Sequence, residues 1–251
     1  MIPEDLMRAG YSRQAAERIL GLLSDREQME YYLHKAKKAG CIPITRISEA
    51  YPRLMRERLA DDCPGCLWAK GDLSLLRRPA VSLVGSRNLN EMNAAFAEAV
   101  GIQAARRGFV LISGNARGAD SIAQNACLKN GGNVISVLAD ALQSHEKQEN
   151  VLYLAEDSFD AAFSPQRALS RNRVIHSMGL CVFVAQSALG KSGTWDGTAK
   201  NLRHGWSPVY CYDDRSAAAV ELQQRGAQLI APENLPEMKE LAYSPRSLFD
   251  E

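Results

Sequence analysis

The spacing of apolar side chains along the chain changes twice. Over residues 2–40, AAERILGLL and DREQMEYYLHKAKKAG put apolar residues at helical intervals, which predicts a small helical region with Ser24 or Asp25 as N-cap and Gly40 as a stop. The next stretch, CIPITRISEAYPRLMRERLADDCPGCLWAKGD, is broken by Pro and Gly and predicts an irregular connection. From Ala80 short apolar runs alternate with helical stretches, the pattern of strand, helix, strand units in a parallel sheet. VSLVG, FVLISG, NVISVLA, GLCVFVAQ and PVYCY read as strands, with AQLIA as a further short one. EMNAAFAEAVGIQAARRG and SIAQNACLKNGG read as helices, the first with Met92, Ala95, Phe96, Ala99 and Val100 on one face. The expected fold is therefore α/β, a doubly wound and mostly parallel sheet. Residues 140–170 lack a clean period and are expected to form a long excursion with one or two short helices. The domain reading is a helical region over 1–50, the α/β domain over 51–235, and a loosely held tail over 236–251.

Composition narrows the function classes. At 251 residues and 46% hydrophobic content the chain has enough material for one sizeable core with a small appendage. No apolar run reaches membrane-spanning length, and Glu4 and Asp5 stand where a secretory leader would be basic, so a cytoplasmic protein with no membrane partner is expected. The six cysteines are scattered and fit reduced core thiols. In CPGC, the pair Cys63 and Cys66 has no second CxxC and no His pair to complete a metal site, and it reads as a turn made by Pro64 and Gly65. His34, His145, His176 and His204 are dispersed, so neither a metal nor another cofactor is expected. With a net charge of +1, attraction for phosphate has to be local.

Open parallel sheets hold ligands beyond the carboxyl ends of their strands, and four junctions there are equipped to do so. Gly85, Ser86 and Arg87 follow VSLV. Ser113, Gly114, Asn115, Ala116, Arg117, Gly118, Ala119 and Asp120 follow FVLI. Ser170, Arg171, Asn172 and Arg173 precede GLCVFVA, and Gly190, Lys191, Ser192, Gly193 and Thr194 come after it. Glycine lets the backbone approach an anion, hydroxyls and free helix N-terminal amides donate to it, and arginine adds a planar charged fork, a combination that suits phosphate. SGNARGAD by itself is equally a strand-to-helix turn with good capping chemistry, and a lone Arg-x-Arg equally a structural ion-pair cluster. GKSGT lacks the upstream glycine of a P-loop, which excludes NTP hydrolysis of that type. Ser113 and Ser192 have no identifiable histidine partner.

Taken in order, these blocks resemble the DprA/Smf family of DNA-processing proteins. Tyr51-Pro52 and Lys70-Gly71-Asp72 resemble the family's lead-in, VGSR its first turn, SGNARGAD its second, SRNRVIHSM its Arg-Asn-Arg block, and KSGTWDGTAKNLRHGWSPVYCY its closing helix and strand. The resemblance implies a Rossmann-like domain whose positive pocket binds single-stranded DNA, in a protein that forms a homodimer and hands the strand to a RecA-type recombinase during recombination. It implies DNA contacts by Gly85, Ser86, Arg87, Ser113, Gly114, Arg117, Arg171, Asn172, Arg173, Lys191, Ser192 and Gly193, to which the turn chemistry adds Asn115, Gly118 and Thr194. Departures from the family pattern are LADALQSHEK in place of a glycine-rich turn, Asn115 in place of an apolar residue, and a longer TWDGTAK that would put Trp195 and Asp196 at the rim. No stretch matches the winged helix common at the family's C-terminus, so the expectation is a shortened relative.

The function expected is non-catalytic binding of single-stranded DNA. The competing reading is a sensor or hydrolase of a nucleotide-derived small molecule, similar to the LOG-type phosphoribohydrolases, in a defence or stress system. Against hydrolysis, the position where those enzymes carry a catalytic glutamate is Gly197 here. The DNA reading requires Arg117, Arg173 and Lys191 to meet at one hollow.

Overall fold

Where the apolar spacing is helical, three helices form: α1 (Pro3–Arg8), α2 (Arg13–Ser24) and α3 (Arg26–Lys38). The Ser12 hydroxyl caps α2 by accepting from the Ala15 amide, and the Asp25 carboxylate caps α3 by accepting from the Gln28 amide. The structure is a computed structural model that describes residues 3–8, 12–231 and 234, and it divides into two units, Met1–Ile42 and Pro43–Glu251. The predicted tail, 236–251, lies outside the described residues.

The second unit is built on one nine-stranded sheet. Its strands in chain order are β1 (Ile42–Thr45), β2 (Cys66–Gly71), β3 (Ala80–Val84), β4 (Val110–Ser113), β5 (Asn133–Val137), β6 (Val151–Ala155), β7 (Val182–Val184), β8 (Val209–Tyr212) and β9 (Gln228–Ile230). The order across the sheet is β1-β2-β6-β5-β4-β3-β7-β8-β9. From β6 to β9 all neighbours are parallel, and β2 runs antiparallel to β6 with Trp68 opposite Ala155 and Gly71 opposite Leu152.

Helices cover both faces. α5 (Glu91–Arg106) and α6 (Ala119–Lys129) pack against each other and against β3 and β4. On the other face α7 (Pro165–Met178) sends Val174, Ile175 and Met178 into a core with Val84, Ile112, Val137 and Leu154. α4 (Arg53–Leu59), α8 (Gly193–His204) and α9 (Ala217–Gln224) complete that layer, with Met55, Leu59, Ala219 and Leu222 in the core and Trp195 and Leu202 packed against it. Each fully buried Leu, Val or Phe contributes roughly 1.5–3 kcal/mol, which is why the central strands read as unbroken apolar runs instead of alternating.

This is the doubly wound α/β sheet that the chain's pattern predicts. Two regions differ from expectation: the connection read as irregular, which also holds β1 and α4, and residues 140–170. CLWAKG is not irregular but is the antiparallel strand β2, and Trp68 is buried against Phe159 with ring centroids 5.0 Å apart. Residues 140–170 are not merely an excursion, since VLYLA forms the fully buried strand β6 and the first residues of α7 begin at Pro165. Polar clusters on either side of VLYLA hide its period, and only pairing with β5 and β2 makes it a strand.

The winding sets where a ligand fits. From β3 the chain moves outward through β4, β5 and β6, then crosses back to β7 on the other side of β3 and continues to β8 and β9. The connections leaving β3 and β7 therefore part in opposite directions and open a crevice between their carboxyl ends.

Candidate nucleic-acid interface

Two cavities, of about 510 Å³ and about 440 Å³, lie at that crevice and share Arg87, Ala116, Phe163 and Arg171 in their walls. The first is lined on its polar side by Gly85, Ser86, Arg87, Asp120, Arg171, Asn172, Ser192, Gly193 and Thr194. Its apolar side is Val84, Ile175 and the α7 face made by Pro165, Ala168 and Leu169. The second adds Gly114, Asn115, Arg117, Ala139 and Asp140.

Local sequence fixes the turns. The Thr194 hydroxyl donates to the Gly85 carbonyl at 3.0 Å, and the Asn172 amide donates to the Gly193 carbonyl at 3.0 Å, tying the turn after β3, helix α7 and the start of α8 to one another. Ser192 caps α8 by accepting from the Trp195 amide. Gly118 has φ +91 and lies against the turn after β3, where an added Cβ would stand 2.5 Å from the carbonyl oxygens of both Ser86 and Arg87. Asn115 adopts a left-handed φ of 57, a conformation asparagine tolerates better than most side chains. The Arg117 guanidinium donates to the Asn88 side-chain oxygen at 3.0 Å, joining the first turn to the second.

Arg171 is the centre of the arrangement. It is 7% exposed, its Nη1 donates to the Val137 carbonyl at 3.0 Å, and an alanine Cβ at position 114 would sit 1.4 Å from that nitrogen. Gly114 is thus the gap through which the guanidinium reaches the sheet edge. Nη1 is the one guanidinium nitrogen engaged by a hydrogen bond among the described residues, and Nε is buried without a partner. Asp120 faces it from α6, but its carboxylate is held by the Gly114 and Ala116 amides at 3.1 and 3.2 Å and makes no ion pair with Arg171. Burial pushes the Asp120 carboxyl up and the Arg171 guanidinium down, while the attraction between the two opposes both shifts. A guanidinium remains charged in any such setting, so the site holds a buried cation with unused donors.

Of the residues singled out from sequence, Gly85, Ser86, Arg87, Gly114, Asn115, Arg117, Arg171, Asn172, Ser192, Gly193 and Thr194 line the cavities, and Gly118 supports them from below. Besides Gly118, three do not line either cavity. Ser113 is buried and its hydroxyl accepts from Gln124 at 2.6 Å. Arg173 pairs with Glu156 at 3.1 Å. Lys191 is exposed beyond the first cavity. The Arg-Asn-Arg block, read from sequence only as preceding the strand, lies in the middle of α7, and at about 100° per residue two positions apart on a helix point to different sides. Trp195 and Asp196 line neither cavity: Trp195 packs on the core with Arg225 over its ring at 5.1 Å, and Asp196 pairs with Lys200 at 2.9 Å.

Sequence reasoning passed over Phe163, Leu169 and Asp140 as wall residues. The apolar wall was legible in principle, because Pro165, Ala168, Leu169, Asn172 and Ile175 follow a helical interval once α7 is recognised. Nothing in the local sequence marks Phe163, which is 54% exposed. Among the described residues no three His, Cys, Asp or Glu side chains gather as metal ligands, and no helix is long and apolar enough to cross a membrane.

Fold and crevice together define a Rossmann-like domain with an arginine-centred cleft at the switch point of its sheet. The family model for DNA recombination-mediator protein A matches residues 43–240, and the chain belongs to that family. Its role is accordingly in DNA processing and recombination. DNA processing protein DprA from Streptococcus pneumoniae is 32% identical over 214 residues, covering 78% of this chain and 74% of that protein. DprA from Bacillus subtilis is 28% identical over 212 residues, covering 78% and 70%. Among solved structures, S. pneumoniae DprA superposes with a TM-score of 0.76 at 26% identity, covering 92% of this chain and 84% of that one. DNA processing protein A from Helicobacter pylori, described for its single-stranded DNA binding mode, superposes with a TM-score of 0.64 at 25% identity, covering 76% and 90%.

Proposed function

We propose that the protein binds single-stranded DNA through the paired cavities, with backbone phosphates at Arg87, Arg117 and Arg171 and at the amide-rich turns between them. The single observation that carries this is Arg171: a 7% exposed cation, in the wall common to both cavities, with N–H groups that no described residue uses. Buried donors are ordinarily satisfied, and a phosphate oxygen is the acceptor that also neutralises the charge. The exposed Phe163 ring beside the arginines offers a face on which a base can stack. The relationship to a protein described for its single-stranded DNA binding mode supports the same ligand.

The activity is assigned to the α/β domain, read as residues 51–235, in a homodimeric, cytoplasmic protein that delivers the strand to a RecA-type recombinase. The protein is read as a binder, not an enzyme, because Gly197 stands where a phosphoribohydrolase of similar fold would need its glutamate, and the neighbouring Asp196 is held by Lys200. The meeting of Arg117, Arg173 and Lys191 at one hollow that the chain alone called for does not occur, since only Arg117 lines a cavity and Arg173 is paired with Glu156. The reading rests instead on Arg87, Arg117 and Arg171, and Arg173 and Lys191 are assigned no contact.

Titration of a labelled single-stranded oligonucleotide, a duplex and nucleoside monophosphates at a series of salt concentrations tests the reading. Three phosphate contacts give a log–log salt slope of about −2, since each contact on a single strand contributes about −0.7. Arg87→Gln and Arg117→Gln, both at exposed positions, should each flatten the slope by about 0.7. Affinity that ignores salt, or a preference for mononucleotide over strand, defeats the proposal.

A further inference from the structure

The second cavity contains a group that phosphate binding does not explain. Asp140 lies in its wall together with Arg87, Arg117 and Arg171, and a carboxylate there repels any phosphate those arginines attract. We propose that this cavity is a nucleobase subsite in which the Asp140 carboxylate selects bases that carry an exocyclic amino group. The inference rests on the single-strand reading of the groove and adds to it a specificity that phosphate contacts cannot supply.

Asp140 is held ready for that role. Its Oδ2 is 3.0 Å from His145 Nε2, while Oδ1 makes no hydrogen bond among the described residues. The His145 ring is steadied against Tyr153, with centroids 5.2 Å apart. The loop that carries both residues is pinned to its surroundings, since the Gln143 amide donates to the Phe159 carbonyl at 3.0 Å and Lys70 Nζ donates to the Gln143 carbonyl at 3.3 Å. One carboxylate oxygen is therefore engaged, and the other is left as an acceptor without a hydrogen-bond partner among the described residues, on a side chain that lines the cavity. Phe163 shares the wall, so a base stacked on its ring presents its edge within the same small volume.

The chemistry separates the bases. Cytosine N4 and adenine N6 offer N–H donors to a carboxylate, whereas thymine places its O4 acceptor where cytosine has the amino group, so oxygen faces oxygen. A charge-assisted hydrogen bond gained in one case and a repulsion in the other predict that oligodeoxycytidylate binds about tenfold more tightly than oligodeoxythymidylate of equal length. His145 acts here only as a positioning residue.

Asp140 also sits among the carboxylates whose charge favours the Arg171 cation, and a pure counter-charge role is the alternative to be excluded. The test is equilibrium binding of the two pyrimidine oligomers to the full chain, wild type and Asp140→Ala, at one salt concentration. The expected result is a preference for cytidylate in the wild type that Asp140→Ala abolishes by weakening cytidylate alone. Asp140→Asn, which keeps the side-chain shape and offers an amide donor to thymine O4, should narrow the gap and serves if the alanine variant does not fold. Equal binding of both oligomers by the wild type overturns the subsite while leaving strand binding intact. An equal rise for both oligomers in Asp140→Ala, with the preference kept, reduces Asp140 to a counter-charge and also overturns it. If neither oligomer binds, the strand reading itself fails and the subsite falls with it.

Discussion

Replacing Gly114 by alanine tests the site at the point where its geometry is tightest. The backbone at Gly114 is not in the left-handed region, so the change is permitted by the chain itself and on general grounds would stabilise by about 0.4–1 kcal/mol. The new Cβ, however, would stand 1.4 Å from Arg171 Nη1, 2.2 Å from Cζ and 2.4 Å from Nη2. To reach an ordinary contact of about 3.5 Å the guanidinium has to retreat by about 2 Å. That retreat breaks the 3.0 Å hydrogen bond to the Val137 carbonyl and leaves a buried acceptor and a buried charge without each other. A charge-assisted bond of this kind contributes roughly 1.5–3 kcal/mol, so Gly114→Ala is expected to lower stability by about 2 kcal/mol. Strand affinity should fall about tenfold or more, because the displaced N–H groups no longer meet the phosphate. Urea denaturation and oligonucleotide titration read the two effects. The decisive comparison is the double variant: in an Arg171→Ala background the three atoms nearest the new methyl group, all in the guanidinium, are gone, and Gly114→Ala should cost close to nothing in either assay. Equal cost in both backgrounds would show that the methyl acts through something other than the guanidinium, and the account of Arg171 as the centre of the cleft would be refuted.

Other outcomes follow from the same structure. Gly118→Ala forces a Cβ to within 2.5 Å of two backbone carbonyl oxygens at a φ of +91, and should cost about 2–3 kcal/mol in chemical denaturation. His176 is buried and neutral, with burial pushing its pKa from 6.5 down to about 3, and its Nδ1 is 3.2 Å from the Asn201 amide. The unfolded chain therefore binds a proton on His176 below pH 6.5 that the folded chain refuses, so stability is full above that pH and falls with acid. At about pH 5 the loss is about 2 kcal/mol, and His176→Gln should flatten that part of the stability profile even if it lowers the plateau. Incubation with nucleoside monophosphates should release no free base, measured by chromatography; release would make the protein a hydrolase.

Much of the fold could be read from the chain alone. Strands β3, β4, β5, β7 and β8 coincide with apolar runs because strands buried on both faces leave no polar alternation to confuse them. The strand-end turns were legible too, since glycine, small hydroxyls and arginine gather just beyond the apolar runs, where the structure places most of them along the two cavities. Pairing was what the chain alone left undecided. VLYLA and CLWAKG become strands through their neighbours in the sheet, and the antiparallel ladder between them joins segments some eighty residues apart, which no local interval encodes.

The division is sharpest at Arg171 and Arg173. Side-chain type established that this block carries charge to the sheet edge, but direction depends on the helix in which the block lies. Within α7 one arginine turns inward against Gly114 and Val137 and the other outward to Glu156. Composition and spacing thus determined that the chain has an α/β sheet with glycine- and arginine-bearing turns at the ends of its strands. Tertiary structure alone decided which arginine keeps donors unused and which walls, Phe163 and Asp140 among them, close around the cavity. The physical reason is that charge and residue type are local properties, whereas desolvation and orientation are set by what distant segments place around a side chain.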